Sequence, residues 1–218
     1  IALWQSHGFY YEPKLNRWEW QRARCLQTVE DLYTQSFVLP YLAPMLENAG
    51  ANVLLPRERD CQTAEIIIDN DGCLNTNSTY TEHTADKVWR QGTGKGFAHL
   101  RPQYIDFENP FKEGTFRIAE TVKKGKESTA EWIPEIPQNG QYAVYVSYQT
   151  VPNSSDDALY TVYHKGGVSQ FKVNQKMGGG TWVYLGTFGF DAGKSNACKV
   201  TLSNRSAKAG QTVTADAV

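Results

Sequence analysis

The chain has 218 residues, with 22 Lys and Arg against 23 Asp and Glu, so its formal net charge is −1. This balance gives no basic surface for nucleic acid, and no apolar run reaches the roughly 20 residues of a membrane span. Residues 1–4 place no charged segment ahead of an apolar run, so we expect no signal peptide at this position. The length allows one large domain or two small ones with a buried core.

The four cysteines, Cys25, Cys61, Cys73 and Cys198, lack the paired spacing of a zinc ribbon. Cys61 and Cys73 are close enough in sequence to form a disulfide across a short loop in an oxidising compartment, or they stay unpaired. The cysteines therefore do not indicate whether the protein works in an oxidising or a reducing compartment.

The first 60 residues predict one β-α-β unit. Residues 1–5 form a short apolar strand, residues 28–50 a helical pattern, and residues 52–55 a second strand. A strand, helix and strand in this order predict two parallel strands joined by a right-handed crossover.

The predicted helix of this unit has capping residues at both ends and two prolines inside it. Thr28 is the expected N-cap, and Asn48-Ala49-Gly50 is the expected C-terminal cap. Pro40 and Pro44 each cost about 3 kcal/mol in a helix interior. We therefore expect a kink, or a second helix with Pro40 in its first turn.

From residue 65 onward the pattern is that of β-strands separated by glycine-rich turns. The turns contain Asn139-Gly140, Gly166-Gly167 and Gly178-Gly179-Gly180, and no long helical pattern intervenes, which favours a β-sandwich. Residues 69–72 predict a turn rather than a calcium loop. The predicted strands are 65–69, 116–119, 130–133, 141–149, 159–164, 169–173, 182–188, 199–203 and 212–218.

The predicted fold is thus an α/β fragment followed by an all-β sandwich domain, with the boundary between residues 62 and 63. Two parallel strands and one helix cannot cover both faces of a parallel sheet. We therefore expect the chain to be a piece of a longer protein, with the sandwich inserted into or appended to an α/β domain.

Residues 1–60 resemble the opening of the zinc-dependent N-acetylmuramoyl-L-alanine amidases. The resemblance lies in His7-Gly8 after the first strand, in the segment Met45–Val53, and in the strand that ends at Arg57–Asp60. It implies that His7 and a Glu at the start of the helix ligate zinc. That Glu corresponds to Glu30, or to Asp31 if the register is one residue off.

The second block is similar to the golvesin C-terminal or xanthan-lyase-type domain, over residues 64–218. The similarity implies a carbohydrate-binding-like β-sandwich in a secreted, periplasmic or cell-surface bacterial protein, and it does not imply lyase activity. It lies in Ile67–Asn70, Trp89, Ala130–Pro134, Ile136–Tyr142, Tyr160–His164, Gly180–Gly186 and Ala215–Val218.

The amidase resemblance predicts only half of a catalytic site. A neutral imidazole at His7 and a carboxylate at Glu30 are two of the three protein ligands that a catalytic zinc needs. The second zinc His and the catalytic Glu of that family have no counterpart in residues 1–218. His7 is otherwise a polar turn residue, and Glu30 otherwise interacts with the helix dipole.

Trp89 and Tyr104 are the candidate glycan-binding residues of the sandwich. An aromatic ring can stack on the apolar face of a sugar, and Tyr104 lies in a long loop-like region. Trp89 is equally compatible with a core position, whereas the strand patterns around Trp132 and Trp182 favour the core for both.

Two functions follow from these observations. The first is part of a secreted zinc amidase-type hydrolase that acts on peptidoglycan, incomplete as an enzyme in this chain. The alternative is a non-catalytic carbohydrate-binding module of a xanthan lyase-like protein, with a polysaccharide as its partner.

Overall fold

The structure is a computed structural model, and the chain forms two compact units within it. One unit is Ile1–Thr63 with Tyr104–Asn109, and the other is Ala64–Gln103 with Pro110–Val218. The residues that the structure describes are 1–5, 7–26, 28–55, 64–74, 76–102 and 108–218.

The helical segment of the first unit is interrupted where prolines were predicted to disturb it. Helix α1 spans Glu30–Phe37, a π-helical turn spans Val38–Leu42, and helix α2 spans Ala43–Asn48. Pro44, rather than Pro40, lies in the first turn of the second helix, where the missing N–H costs least. The N-cap is Val29 instead of Thr28.

Among the described residues of the range 1–62, the predicted β-α-β sheet is reduced to one parallel contact between its two predicted strands. Residues 1–5 and 52–55 meet in a single parallel bridge between Ala2 and Leu54 and do not form strands. The N–H of Leu3 donates to the carbonyl of Leu54 at 2.9 Å, and that of Leu54 to the carbonyl of Ile1 at 2.8 Å. Both bridged residues are exposed, so the face that carries their side chains lacks the cover that a parallel sheet normally has, whereas their neighbours Leu3 and Val53 are half-buried.

A β-hairpin that the sequence did not predict precedes α1. Strand β1 (Phe9–Glu12) pairs antiparallel with β2 (Arg17–Trp20). Tyr11 faces Trp18 across the two strands, with ring centroids 5.8 Å apart. Asn16 supplies the left-handed turn conformation, at φ 53°.

One layer of the second unit is a five-stranded antiparallel sheet. The order of its strands is β10, β9, β13, β6 and β3, so neighbours in space are distant in sequence except for β9 and β10, which follow each other in the chain. The strands are β3 (Thr79–His83), β6 (Thr129–Ile133), β9 (Ala158–His164), β10 (Gly167–Val173) and β13 (Lys199–Ser203).

The other layer consists of two ribbons. One is formed by β11 (Val183–Phe190) and β8 (Gly140–Val146), and the other by β14 (Thr212–Ala215), β5 (Arg117–Glu120) and β4 (Arg90–Gln91). The N–H of Ser147 donates to the carbonyl of Ala217 at 2.7 Å and joins the ribbons. Short elements complete the unit: β7 (Glu135–Ile136), β12 (Gly193–Lys194) and a 3-10 helix (Pro110–Lys112).

The core lies between these layers and includes side chains of both. Trp132 and Tyr160 from the five-stranded sheet are fully buried and stacked, with centroids 6.4 Å apart. Val144 and Val213 from the other layer belong to the same cluster. The predicted β-sandwich is therefore confirmed.

The predicted strands from residue 116 onward coincide with observed strands to within a few residues. Residues 65–69 do not form a strand. They make one short pairing with the end of the chain, in which Ile68 and Val218 exchange two hydrogen bonds at 2.8 and 2.9 Å. The predicted turn at 69–72 is present, with Gly72 at φ +135°.

No helix in the described ranges has the length and apolar character needed to cross a bilayer.

Candidate functional site

The turn that bears His7 is connected to the start of α1. The N–H of Gly8 donates to Oδ1 of Asp31 at 2.5 Å, and Asp31 is buried, whereas His7 is exposed. Glu30 is the first residue of the helix, and its side chain is 58% exposed and lies 3.9 Å from Arg22. The carboxylate that holds the turn is therefore Asp31 rather than Glu30.

These residues do not make up a complete zinc site. Across the part of the chain that the structure describes, no three His, Cys, Asp or Glu side chains are grouped so that they could hold a metal ion. A catalytic zinc needs three protein ligands and an open position. His7 and Glu30 stay predicted ligands of a half-site.

The structure does not support the predicted glycan-binding role of Trp89, because it buries this residue. Trp89 is 3% exposed and packs in the core of the sandwich, so no face of its ring is open to a sugar. Tyr104, the other candidate, lies outside the described residues. Cys73 is half-buried, and Cys61 also lies outside the described residues.

The two tryptophans that were assigned to the core differ from one another. Trp132 is fully buried, and its indole N–H donates to the carbonyl of Asp216 at 3.1 Å. Trp182 is only half-buried, and it packs edge-on against Phe97 at 4.9 Å and Phe111 at 5.8 Å. The prediction that both tryptophans lie in the core is correct for Trp132, whereas Trp182 is only partly buried.

Two buried carboxyl groups lie beside the C-terminal residues of the sandwich. Asp216 accepts the N–H of Phe97 at 3.0 and 3.1 Å, and Gln149 donates to it at 3.4 Å. Burial raises the pKa of Asp216 to about 7, and burial together with the charge of Asp216 raises the pKa of Asp69 to about 8. These groups make stability depend on pH.

An aromatic pair, one ring exposed and the other half-buried, occupies the outer surface of β8 and β11. Tyr145 and Tyr184 are direct cross-strand partners, with ring centroids 5.2 Å apart and ring planes at 47°. Tyr184 is 51% exposed, and its hydroxyl lies 2.8 Å from that of Thr187. The pair is thus held in a fixed arrangement at the protein surface.

The pleat of the strands explains why these rings face outward. Tyr142, Val144 and Val146 of β8 are buried, so the residues between them point to the opposite face. We call this outer surface the tyrosine face. It consists of Gln141, Ala143, Tyr145, Tyr184, Thr187 and Gly189.

Sequence reasoning missed the tyrosine face although part of the signal was present. The alternation in residues 141–149 assigned Tyr142, Val144, Val146 and Tyr148 to one face, which places Tyr145 on the other. The partner ring was hidden by a β-bulge between Tyr184 and Gly186, which interrupts the alternation along β11.

The tyrosine face has the chemical properties of a carbohydrate-binding surface. Two adjacent tyrosine rings offer apolar area for the C–H face of a sugar, and hydroxyl groups at their margin can exchange hydrogen bonds with it. Neither strand contains Asp, Glu, His, Lys or Arg.

Comparison with known proteins gives consistent results for the sandwich. Over 81 residues, or 37% of this chain, the sequence is 35% identical to a protein named Xanthan lyase from Bacillus sp. (strain GL1). The fold is similar to the solved structure of Paenibacillus xanthan lyase, with a TM-score of 0.50, 24% identity and coverage of 71% of this chain. The matches span only 8% and 12% of those two proteins.

The family comparison concerns the second half of the chain. The family model described as the Golvesin C-terminal domain matches residues 110–218, which include both tyrosines of the tyrosine face. The matched segment lies outside residues 1–60, so the amidase resemblance receives no support from it. The similarity predicted for the sandwich is confirmed, and the chain belongs to the Golvesin C-terminal domain family.

Proposed function

We propose that this chain is a non-catalytic carbohydrate-binding module of a bacterial protein that acts outside the cell, with a polysaccharide as its ligand. The observation that carries the proposal is the Tyr145–Tyr184 pair on the outer surface of a β-sandwich, in which Tyr184 is exposed and Tyr145 is half-buried. Membership in the Golvesin C-terminal domain family and likeness to proteins named for xanthan, a polysaccharide, support it.

The arrangement of the pair also supports binding on energetic grounds. The contact between Tyr184 and Thr187 orients one ring before any ligand arrives, which lowers the entropy that binding must overcome. Tyrosine loses little conformational freedom on binding because it has only two side-chain torsions.

The test is binding of the purified chain to a panel of insoluble polysaccharides, with peptidoglycan included, by pull-down and quantified depletion. We expect at least one polysaccharide to bind, and we expect Tyr184→Ala to weaken that binding about tenfold because it removes one stacking ring.

The matched control is Tyr163→Ala, which removes a half-buried tyrosine from the outer surface of the five-stranded sheet. Circular dichroism melting of both variants verifies that they are folded. If Tyr163→Ala weakens binding and Tyr184→Ala does not, the tyrosine face is not the binding site. If no polysaccharide binds, the proposed function is wrong.

A second candidate function concerns the first unit. We propose that His7, with Glu30 or Asp31, forms a weak zinc half-site of the amidase type. The hydrogen bond from Gly8 to Asp31 supports this, because it fixes the turn that bears His7 to the first turn of α1.

Equilibrium dialysis against zinc chloride, followed by elemental analysis, tests the half-site. We expect weak zinc binding that His7→Ala abolishes, because imidazole nitrogen is the strongest ligand of the set. His83→Ala removes an exposed histidine of the sandwich and serves as the control. Equal zinc in the wild type and in His7→Ala would contradict the half-site.

A further inference from the structure

The two strands that form the tyrosine face contain no charged residue. β8 has the sequence GQYAVYV and β11 the sequence VYLGTFGF, so Asp, Glu, Lys and Arg are absent from both. A face that recognises carboxylates or sulfates uses Arg or Lys, because these cations form strong charge-assisted hydrogen bonds. Neither strand offers such a group to an acidic sugar.

The opposite outer surface of the sandwich has a different character. On the five-stranded sheet, Lys199 lies 3.0 Å from Glu131, and His83 lies 3.7 Å from the same carboxylate. Lys199 also lies 5.4 Å from the ring centre of Tyr163. On the outer surface of the five-stranded sheet, these charged side chains therefore interact with one another, and Tyr163 lies beside the cation of Lys199. Among the residues that the structure describes, the aromatic pair of the tyrosine face has no such cation beside its rings.

The remainder of the tyrosine face is small and polar. Beyond the tyrosine pair, Ala143 faces Thr187 and Gly189 faces Gln141. From Tyr145 to Gln141 the strand rises about 13 Å, at roughly 3.3 Å per residue. Small side chains along this length leave a shallow strip beside the two rings, which an extended chain can follow.

Resting on the proposed function, we propose that the ligand of the tyrosine face is an uncharged polysaccharide chain, laid along β8 and β11 with sugar rings over Tyr145 and Tyr184. The rings provide stacking area, and Thr187 lies beside them as a hydroxyl group. The charges at the Gly189 end of the face, Lys165 and Asp191, are paired with each other at 2.7 Å and so offer no unpaired cation to an acidic sugar. Affinity is then nearly independent of salt, because counterion release makes no contribution.

The experiment compares neutral and acidic soluble polysaccharides by isothermal titration at 20 and 500 mM sodium chloride. The neutral probes are mixed-linkage β-glucan, xyloglucan and galactomannan, and the acidic probes are xanthan, alginate and polygalacturonate. We expect at least one neutral polysaccharide to bind, with less than a twofold change in affinity between the salts. Tyr184→Ala lowers this affinity at least tenfold, and Tyr163→Ala leaves it unchanged.

Other outcomes overturn the inference in distinguishable ways. Binding to acidic polysaccharides alone, weakened by salt, refutes the neutral ligand and leaves the carbohydrate-binding function intact. Binding to none of the probes refutes both. Sedimentation velocity tests a third outcome, in which the chain self-associates with rising concentration and Tyr184→Ala abolishes this. That result shows instead that the tyrosine face is an interface between copies of the chain.

Discussion

The protein is expected to unfold at a lower temperature at pH 8 than at pH 5.5, by about 5 °C or more. The cause is the pair Asp69 and Asp216, whose pKa values are raised by burial to about 8 and about 7. In the unfolded chain both groups return to an ordinary pKa near 3.8.

The sign follows from proton linkage. Between pH 3.8 and pH 7 to 8 the folded state binds more protons than the unfolded state, so stability falls as pH rises. The contribution is fully present below pH 3.8 and is lost as pH passes through the folded pKa values. Asp156 acts in the opposite direction, because its lysine partners lower its pKa to about 2, and its contribution is lost only in acid.

Thermal melts from pH 5 to pH 8, followed by circular dichroism, measure this effect. Asp216→Asn keeps an acceptor for the N–H of Phe97 and removes one buried charge, so we expect a flatter dependence of melting temperature on pH. Asp191→Asn changes an exposed carboxylate of the same unit and is the control. A melting temperature that rises over this pH range would refute the prediction.

Replacing Gln175 by Leu is expected to lower the free energy of unfolding by about 3 kcal/mol or more. Gln175 is fully buried, and its amide donates to the carbonyl of Thr214 at 2.8 Å and accepts the N–H of Thr214 at 2.9 Å. It also donates to the hydroxyl of Tyr160 at 3.1 Å. Leucine leaves these buried groups without partners.

Urea denaturation of Gln175→Leu, compared with the wild type, measures the loss. The control is Gln170→Leu, which makes the same exchange at an exposed position of β10, where we expect a change below about 0.5 kcal/mol. Equal effects at both positions would mean that the buried hydrogen bonds do not cause the loss.

The sequence predicts the strands of the sandwich well because period-two alternation is a local signal. β9 and β13 match their predicted ranges closely, since apolar residues recur at every second position in both, and glycines mark the turn after β9. The hairpin of β1 and β2 was missed because its aromatic residues occur within a polar segment that lacks a clear alternation of apolar and polar residues.

The site depends on information that alternation does not contain. Trp89 is 3% exposed although its neighbour Val88 is 67% exposed, and no local pattern shows which of the two enters the core. The pairing of Tyr145 with Tyr184 depends on the register between β8 and β11, which the bulge shifts by one residue. The number of aromatic residues in the sequence therefore could not locate the tyrosine face.

The position of residues 212–218 has a consequence for synthesis of the protein. These residues pair with β5, with Ser147 and with Ile68, and Asp216 binds the N–H of Phe97 from 119 positions away. A nascent chain cannot make these contacts until the last strand has left the ribosome. Until then, the edge of β5 that pairs with residues 212–215 has no partner strand. Contacts between residues so distant in sequence form slowly, and a strand edge without a partner is a surface that chaperones can bind.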